Sequence, residues 1–442
     1  MTFASICFIS LLWVLFMFSF ADHETLSQVD LDRFSVAKDR RYLLYDVNHG
    51  EGFNLRRDVY MRVANVVRQL RDKGENFVLV LPPWSALYHW QSKALGAQTK
   101  IPWSLFFDLE SLNRFVPAIE FETFVEETGK PQIDIIYYLQ HYAEGWKDGK
   151  WEEKWDFRPC IDIRYYYQSE SDGLWRGWFW SYEDYVSAKS LHCISVQGHT
   201  STILPLILAE NNTARSIMID RAETILHDSF GDIHYWNARK SMRYNKELQR
   251  IADEFRRIEL DSDDETDGTV LPDDWREHKT KHGDATGGSF ICVHWRRKDF
   301  VHAHRKELPS IEGTARQIER LLRKWNLSIV FLATDAPDSE IQQLSKSLEP
   351  HTINESPITL KRYIPPEDIL KKYKDGGVSI IDQWICAHAR YFIGSHVSTF
   401  SFRIQDDREI LGFDPSTTFN RLCPDDQIDE CEQPAKWKIV QS

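Results

Sequence analysis

A chain of 442 residues, 42% hydrophobic and 13% aromatic, is long enough for two or three domains with cores of their own and too apolar to be disordered. Its formal net charge of −13 excludes a nucleic-acid footprint over the whole molecule, so a phosphate site must be a local basic pocket with a small ligand. Sixteen tryptophans imply a deep core, a groove that stacks on a ligand, or both.

Residues 4–20 are almost wholly apolar, and Ser19-Phe20-Ala21 precedes Asp22, which predicts a cleaved secretory leader over 1–21. A signal anchor is the competing reading, because the run approaches the length of a membrane span and no basic residues precede it. Asn211, Asn326 and Asn354 open Asn-x-Ser/Thr sequons, which are glycosylation candidates in that compartment.

The segment 41–47 reads as a strand, followed by the turn NHGEG and a helix with Leu55, Val59, Val63, Val66 and Leu70 on one face, closed by Gly74. Residues 77–81 form the next strand, stopped by Pro82-Pro83. Gly50 and Gly52 lack the third glycine of a dinucleotide fingerprint, and Glu51 between them would repel a pyrophosphate. At the carboxyl end of a strand, Glu51 suits a general base; a solvated turn carboxylate or a helix-dipole partner is the other reading.

Residues 84–174 are rich in aromatics and poor in periodicity, an expected insertion of helices and loops around a cleft. Strands at 193–198 and 216–219 follow, with an apolar helix at 203–208 between them, and then a helix that aligns Leu248, Ile251, Phe255 and Ile258. Six of the ten residues in 259–268 are acidic, which predicts a mobile linker or surface loop. The expected division is therefore 22–258, an acidic linker over 259–285, and 286–442.

The second half opens on SFICVHWRRKDF, residues 289–300, an apolar strand that ends in His294, Arg296, Arg297 and Lys298. Ligands of open α/β sheets sit at that end, and guanidinium suits the paired oxygens of a phosphate. Ser310 caps a helix with Ile311, Ala315, Ile318, Leu322 and Trp325 on one face, and a strand at 328–333 ends in Thr334-Asp335. A helix at 378–389 follows Gly376-Gly377, then a strand at 391–393 and a helix at 399–411 whose N-terminal Ser395, Ser398 and Thr399 favour an anion. The fold class is α/β, with two Rossmann-like halves across a cleft, an arrangement suited to an enzyme with two substrates.

Cys7 leaves with the leader, while Cys292 and Cys386 sit in apolar runs and read as buried thiols. Cys160, Cys193, Cys423 and Cys431 lie in polar surroundings that an oxidising lumen would pair. Of the three connectivities, Cys160 with Cys193 and Cys423 with Cys431 is favoured because each closes a local loop. The D-x-D triplets at 30–32 and 261–263 do not follow a buried strand, so no metal is expected.

The segments YLLYDVNHGEGFNLRRDVYMR, LPPWSALYHWQS, AEGWKDGKWEEKWDFRPC, RGWFWSYE, VHWRRKDF and DGGVSIIDQWICAHARYFIGSHVSTFSFRI closely resemble the protein O-fucosyltransferases that act on thrombospondin type 1 repeats. The resemblance implies a GT-B glycosyltransferase of the endoplasmic reticulum that moves L-fucose from GDP-fucose to Ser or Thr hydroxyls of the folded repeats, without a metal. It makes Glu51 the catalytic base and Arg296 the residue that holds the donor pyrophosphate. Donor contacts are implied for Gly50, Glu51, Gly52, Phe53 and Asn54, for His294, Trp295 and Arg296, and for Asp382, Thr399 and Phe400. It agrees with the local disulfides, and it departs from the family form in having His49-Gly50 where two prolines usually stand. Transfer to epidermal-growth-factor-like repeats and a non-catalytic lumenal binding or chaperone role are the rivals. A Rossmann oxidoreductase is disfavoured by the missing G-x-G-x-x-G.

Overall fold

The computed structural model describes residues 40–145, 151–209, 213–427 and 431–441; the leader over 1–21 and the sequon at Asn211 lie outside the described residues. Two mainly parallel sheets organise them. Among the described residues the first sheet has nine strands, running Ala118–Glu120, Phe77–Leu81, Arg41–Tyr45, Ser216–Asp220, Gln132–Gln140, Ser187–Gln197, Trp175–Gly177 and Tyr167–Ser169, with Lys154–Phe157 added antiparallel to Ser187–Gln197. Tyr45 pairs with Ile219, which leaves Asp46 and Asp220 at neighbouring strand ends. The Phe53–Asp72 helix buries Val59, Val63, Val66 and Leu70 of the expected apolar face in the core, whereas Leu55 in its first turn is only half-buried.

The stretch read as an irregular insertion contains a core strand, Gln132–Gln140. Its polar members hide it: Asp134 accepts from the Arg215 and Ser216 N–H groups, and buried Gln140 bonds the Pro159 carbonyl and the Ile161 N–H. Both satisfy neighbouring backbone.

In the second sheet Thr359–Lys361, Ile329–Thr334, Gly288–Trp295, Ala389–Gly394 and Asn420–Arg421 lie in that order, all parallel. Gly288–Trp295 is central, with His294 in register with Ala333 on one side and Gly394 on the other. The result is a GT-B-type α/β fold. The helix expected to start at 378 begins at Glu367 and kinks at Lys374, where φ is 59°. A Cβ on Gly376 would come within 2.5 Å of the Phe106 ring and 2.8 Å of Trp90, so glycine there lets the helix meet aromatic residues of the first half.

Buried charge joins the two sheets' helices. Arg239 donates to Asp406 at 3.2 Å and Asp407 at 2.6 Å, Tyr244 donates to Asp407, and Arg57 donates to Gln383 at 2.6 Å and Tyr244 at 2.8 Å. Removing one member would strand its partner's charge in the interior, a loss of about 3–5 kcal/mol.

Two expectations need correction. Cys292 and Cys386 are not free thiols: the central strand packs on the Glu367–Ala387 helix with their Cα atoms 5.1 Å apart, and they form a disulfide. Cys160–Cys193 and Cys423–Cys431 are the other two disulfides among the described residues. The acidic run is not a structureless linker, because fully buried Arg256 gathers it, donating to Asp253, Asp264, Asp267 and Ser262. Composition alone missed the cation that sits just before the run.

Candidate active site

Between the sheets lies a cavity of about 500 Å³, lined from the first half by Glu51, Gly52, Phe53 and Asn54 and from the second by His294, Arg296, Asp382, Thr399 and Phe400. Two helices present their N-termini to it, Phe53–Asp72 and Thr399–Leu411, and neither has a side-chain cap. Backbone N–H groups there, with the partial positive end of each helix, favour a diphosphate. Asn54 is held from both halves, its Oδ1 accepting from Arg57 at 3.3 Å and Gln383 at 2.8 Å. Val397 at the rim has φ of 47°, a strained conformation for a β-branched residue.

Arg296 is aimed by its neighbours. Nη1 donates to Asp335 at 2.5 Å, Nη2 donates to Asp299 at 2.6 Å and to His89 Nδ1 at 3.3 Å, and the guanidinium lies 5.4 Å over the Phe300 ring. Asp335 also accepts from the Arg297 N–H at 2.6 Å, so one carboxylate orders both the side chain and its loop. A Cβ on Gly52 would sit 3.1 Å from His89, which is how that ring reaches across to Arg296.

Burial, and then the charge of Arg296, pull His294 down to about 3 and His89 down to about 4. Both rings are neutral at physiological pH and leave the guanidinium as the positive group between them. His294 stacks on Phe400 with centroids 4.3 Å apart and bonds Ser401 through Nδ1 at 2.8 Å. Asp382 is pushed up to about 7 by burial, only partly opposed by Arg362. Its carboxyl therefore changes charge in the physiological range, and donors from a ligand would hold it ionised.

The sequence profile of the family described as GDP-fucose protein O-fucosyltransferase matches residues 42–411. The chain belongs to this family. GDP-fucose protein O-fucosyltransferase 2 of Caenorhabditis elegans is 51% identical over 419 residues, covering 94% of each chain. The human protein of that name is 53% identical over 405 residues, 92% of this chain and 91% of its own. The crystal structure of POFUT1 in complex with GDP-fucose shares the fold, with a TM-score of 0.55 at 14% identity over 87% of this chain and 98% of that one. The protein is thus a glycosyltransferase with GDP-fucose as donor.

The cavity draws together most of the residues singled out in the sequence. Trp295 stands apart: it is 1% exposed, packs in the core behind the strand and carries Arg297 4.9 Å over its ring. Successive strand residues point to opposite faces, so His294 and Trp295 do not share a wall. Gly50 lies exposed at the apex of the turn, outside the lining. The reading missed Tyr88, His89, Asp299, Asp335 and Asp375, which also line the cavity. Asp335 was findable, as the acid that ends the strand beside the basic one, whereas His89 sits in a loop that only folding brings near.

Proposed function

We propose that this enzyme inverts the fucosyl centre in one displacement, carrying L-fucose from GDP-β-L-fucose to a Ser or Thr hydroxyl of a folded thrombospondin type 1 repeat in the endoplasmic reticulum lumen. The observation that carries it is the convergence of Glu51 and Arg296 on one cavity from the two halves of the molecule. A hydroxyl is a weak nucleophile until a carboxylate takes its proton, and Glu51 is the base. As the fucosyl–oxygen bond breaks, negative charge grows on the β-phosphate and is met by the Arg296 fork. Neutral His294 and the two helix N-termini complete the cradle, so the leaving group is stabilised without a metal. Asp382 takes the guanine end. The three disulfides support an oxidising compartment.

The test is GDP release and fucose transfer with folded thrombospondin type 1 repeats, the same repeats reduced, and folded epidermal-growth-factor-like repeats, each with and without a chelator. Transfer confined to the folded thrombospondin repeats and indifferent to chelator is expected. Transfer to the growth-factor-like repeats instead would refute the acceptor assignment, and loss on chelation would refute the metal-free one. Glu51→Gln should cost about a hundredfold to ten-thousandfold in turnover with donor binding intact; full turnover would remove Glu51 as the base.

A further inference from the structure

The turn that carries Glu51 contains no proline, and a Cβ on Gly50 would meet nothing within 4 Å, so neither a ring nor crowding fixes it there. One side chain does. Arg56 reaches back from the start of the Phe53–Asp72 helix. Its Nε donates to the Glu51 carbonyl at 3.1 Å, its Nη2 donates to the carbonyls of Val47 at 3.2 Å and Asn48 at 3.0 Å, and its Nη1 lies 3.4 Å from Asp46 Oδ1. The side chain is 13% exposed and lies behind the cavity wall rather than in it.

A cation so near a helix N-terminus opposes the dipole, and the first turn of this helix has no acidic residue to offset it. Helix stability therefore does not explain the residue. Its acceptors are the Asn48 and Glu51 carbonyls of the turn and, just before it, the Val47 carbonyl and Asp46, and they are the groups that set where the Glu51 backbone stands. The turn's other ties include the Glu51 N–H to the Asn48 carbonyl at 2.9 Å, the Asn48 N–H to Glu223 at 3.2 Å, the Gly50 N–H to Asn48 Oδ1 at 3.5 Å, the Arg56 N–H to the Gly52 carbonyl at 3.1 Å and the His49 ring edge-on to Trp178. None of these holds the Glu51 carbonyl.

We propose that Arg56 is a positioning residue for Glu51. Its planar fork sets the direction from which the Glu51 carboxylate meets the acceptor hydroxyl, without touching either substrate. The proposal rests on Glu51 being the base. Lysine cannot replace the fork, because one ammonium keeps the charge beside Asp46 but does not span three carbonyls.

The experiment compares wild type, Arg56→Lys, Arg56→Gln, Glu51→Gln and the Arg56→Gln/Glu51→Gln double variant in fucose transfer to a folded thrombospondin type 1 repeat. Donor KM and melting temperature are measured on the same preparations. Arg56→Gln should lower kcat about tenfold to a hundredfold, the scale on which misplacing a reacting group acts, with the KM for GDP-fucose within about twofold. Arg56→Lys should recover little of that loss while melting near wild type. In the double variant the Arg56 loss should vanish, leaving turnover no lower than in Glu51→Gln alone. A lowered melting temperature with kcat unchanged would make Arg56 merely structural and overturn the proposal, as would losses that multiply in the double variant. Should the glutamine variant fail to fold, the lysine variant decides: full kcat overturns the proposal, and lowered kcat at unchanged donor KM supports it. Full turnover in Glu51→Gln by itself identifies the other failure, that of the base assignment.

Discussion

Acidification should loosen GDP-fucose from this enzyme, and Asp382 should be the reason. In the free protein its carboxyl is raised from 3.8 to about 7 by burial. A shift of that size means about 4 kcal/mol opposes ionisation. A guanine offers two donors, N1–H and N2–H, and hydrogen bonds to a charged group contribute about 1.5–3 kcal/mol each, enough to hold the carboxylate ionised in the complex. The protonated acid accepts only one of them. The sign follows: binding favours the ionised form, is fully developed above pH 7, and is lost as pH falls through the raised value. Affinity should weaken about tenfold at pH 6 and about thirtyfold at pH 5.5 relative to pH 8. His294 and His89, held at about 3 and 4, do not titrate in this window. Calorimetry should use GDP-fucose, whose diphosphate is esterified at both ends, because the terminal phosphate of GDP itself titrates near 6. In buffers of different ionisation enthalpy, close to one proton should be released per ligand bound at pH 6. Asp382→Asn should bind about tenfold to a hundredfold more weakly at pH 8 and lose the pH dependence. Wild-type affinity that stays flat from pH 5.5 to 8, or an asparagine variant that keeps the slope, would refute this reasoning.

Asp335→Ala should lower kcat about tenfold by leaving Arg296 unaimed, and should add nothing in an Arg296→Lys background, which itself costs about two to three decades; multiplicative losses would count against the coupling. Replacing Cys292 and Cys386 together by alanine opens a crosslink spanning 94 residues and should cost about 2–5 kcal/mol, read as a lower urea midpoint. Peptide mapping without reductant should recover the two cysteines in one linked fragment. Asp220, pushed up to about 7 by burial and then by Asp46, destabilises the fold when it ionises, so stability is lost as pH rises from the ordinary carboxylate range through 7. Asp220→Asn keeps the Oδ1 acceptor of the Arg221 N–H and should raise stability at pH 8 by on the order of 1 kcal/mol while flattening the pH 6–8 dependence of the melting temperature. Equal slopes in the two proteins would show that the charge is met elsewhere.

Much of the framework was legible in the residues alone. Phe77–Leu81 and the run ending at Trp295 are buried on both faces, so each appears as an unbroken apolar stretch, and the polar residues that end such strands mark the ligand side. Glu51 and Arg296 stood out for that reason, as did the helix faces of Phe53–Asp72 and Ile311–Trp325, which repeat at the period their own backbone imposes. What the sequence left undecided depends on partners far along the chain. Gln132–Gln140 hides among polar side chains that serve a neighbouring strand, and Cys292 meets Cys386 only when helix packs on sheet. Arg256 orders an acidic run that looks unable to order itself, and His89 faces Arg296 across the cleft. Periodicity is a property of one segment and is written in it. The orientation of a guanidinium, the neutrality of a histidine and the state of a carboxyl at pH 7 are set by what surrounds them, and only the folded chain brings those surroundings together.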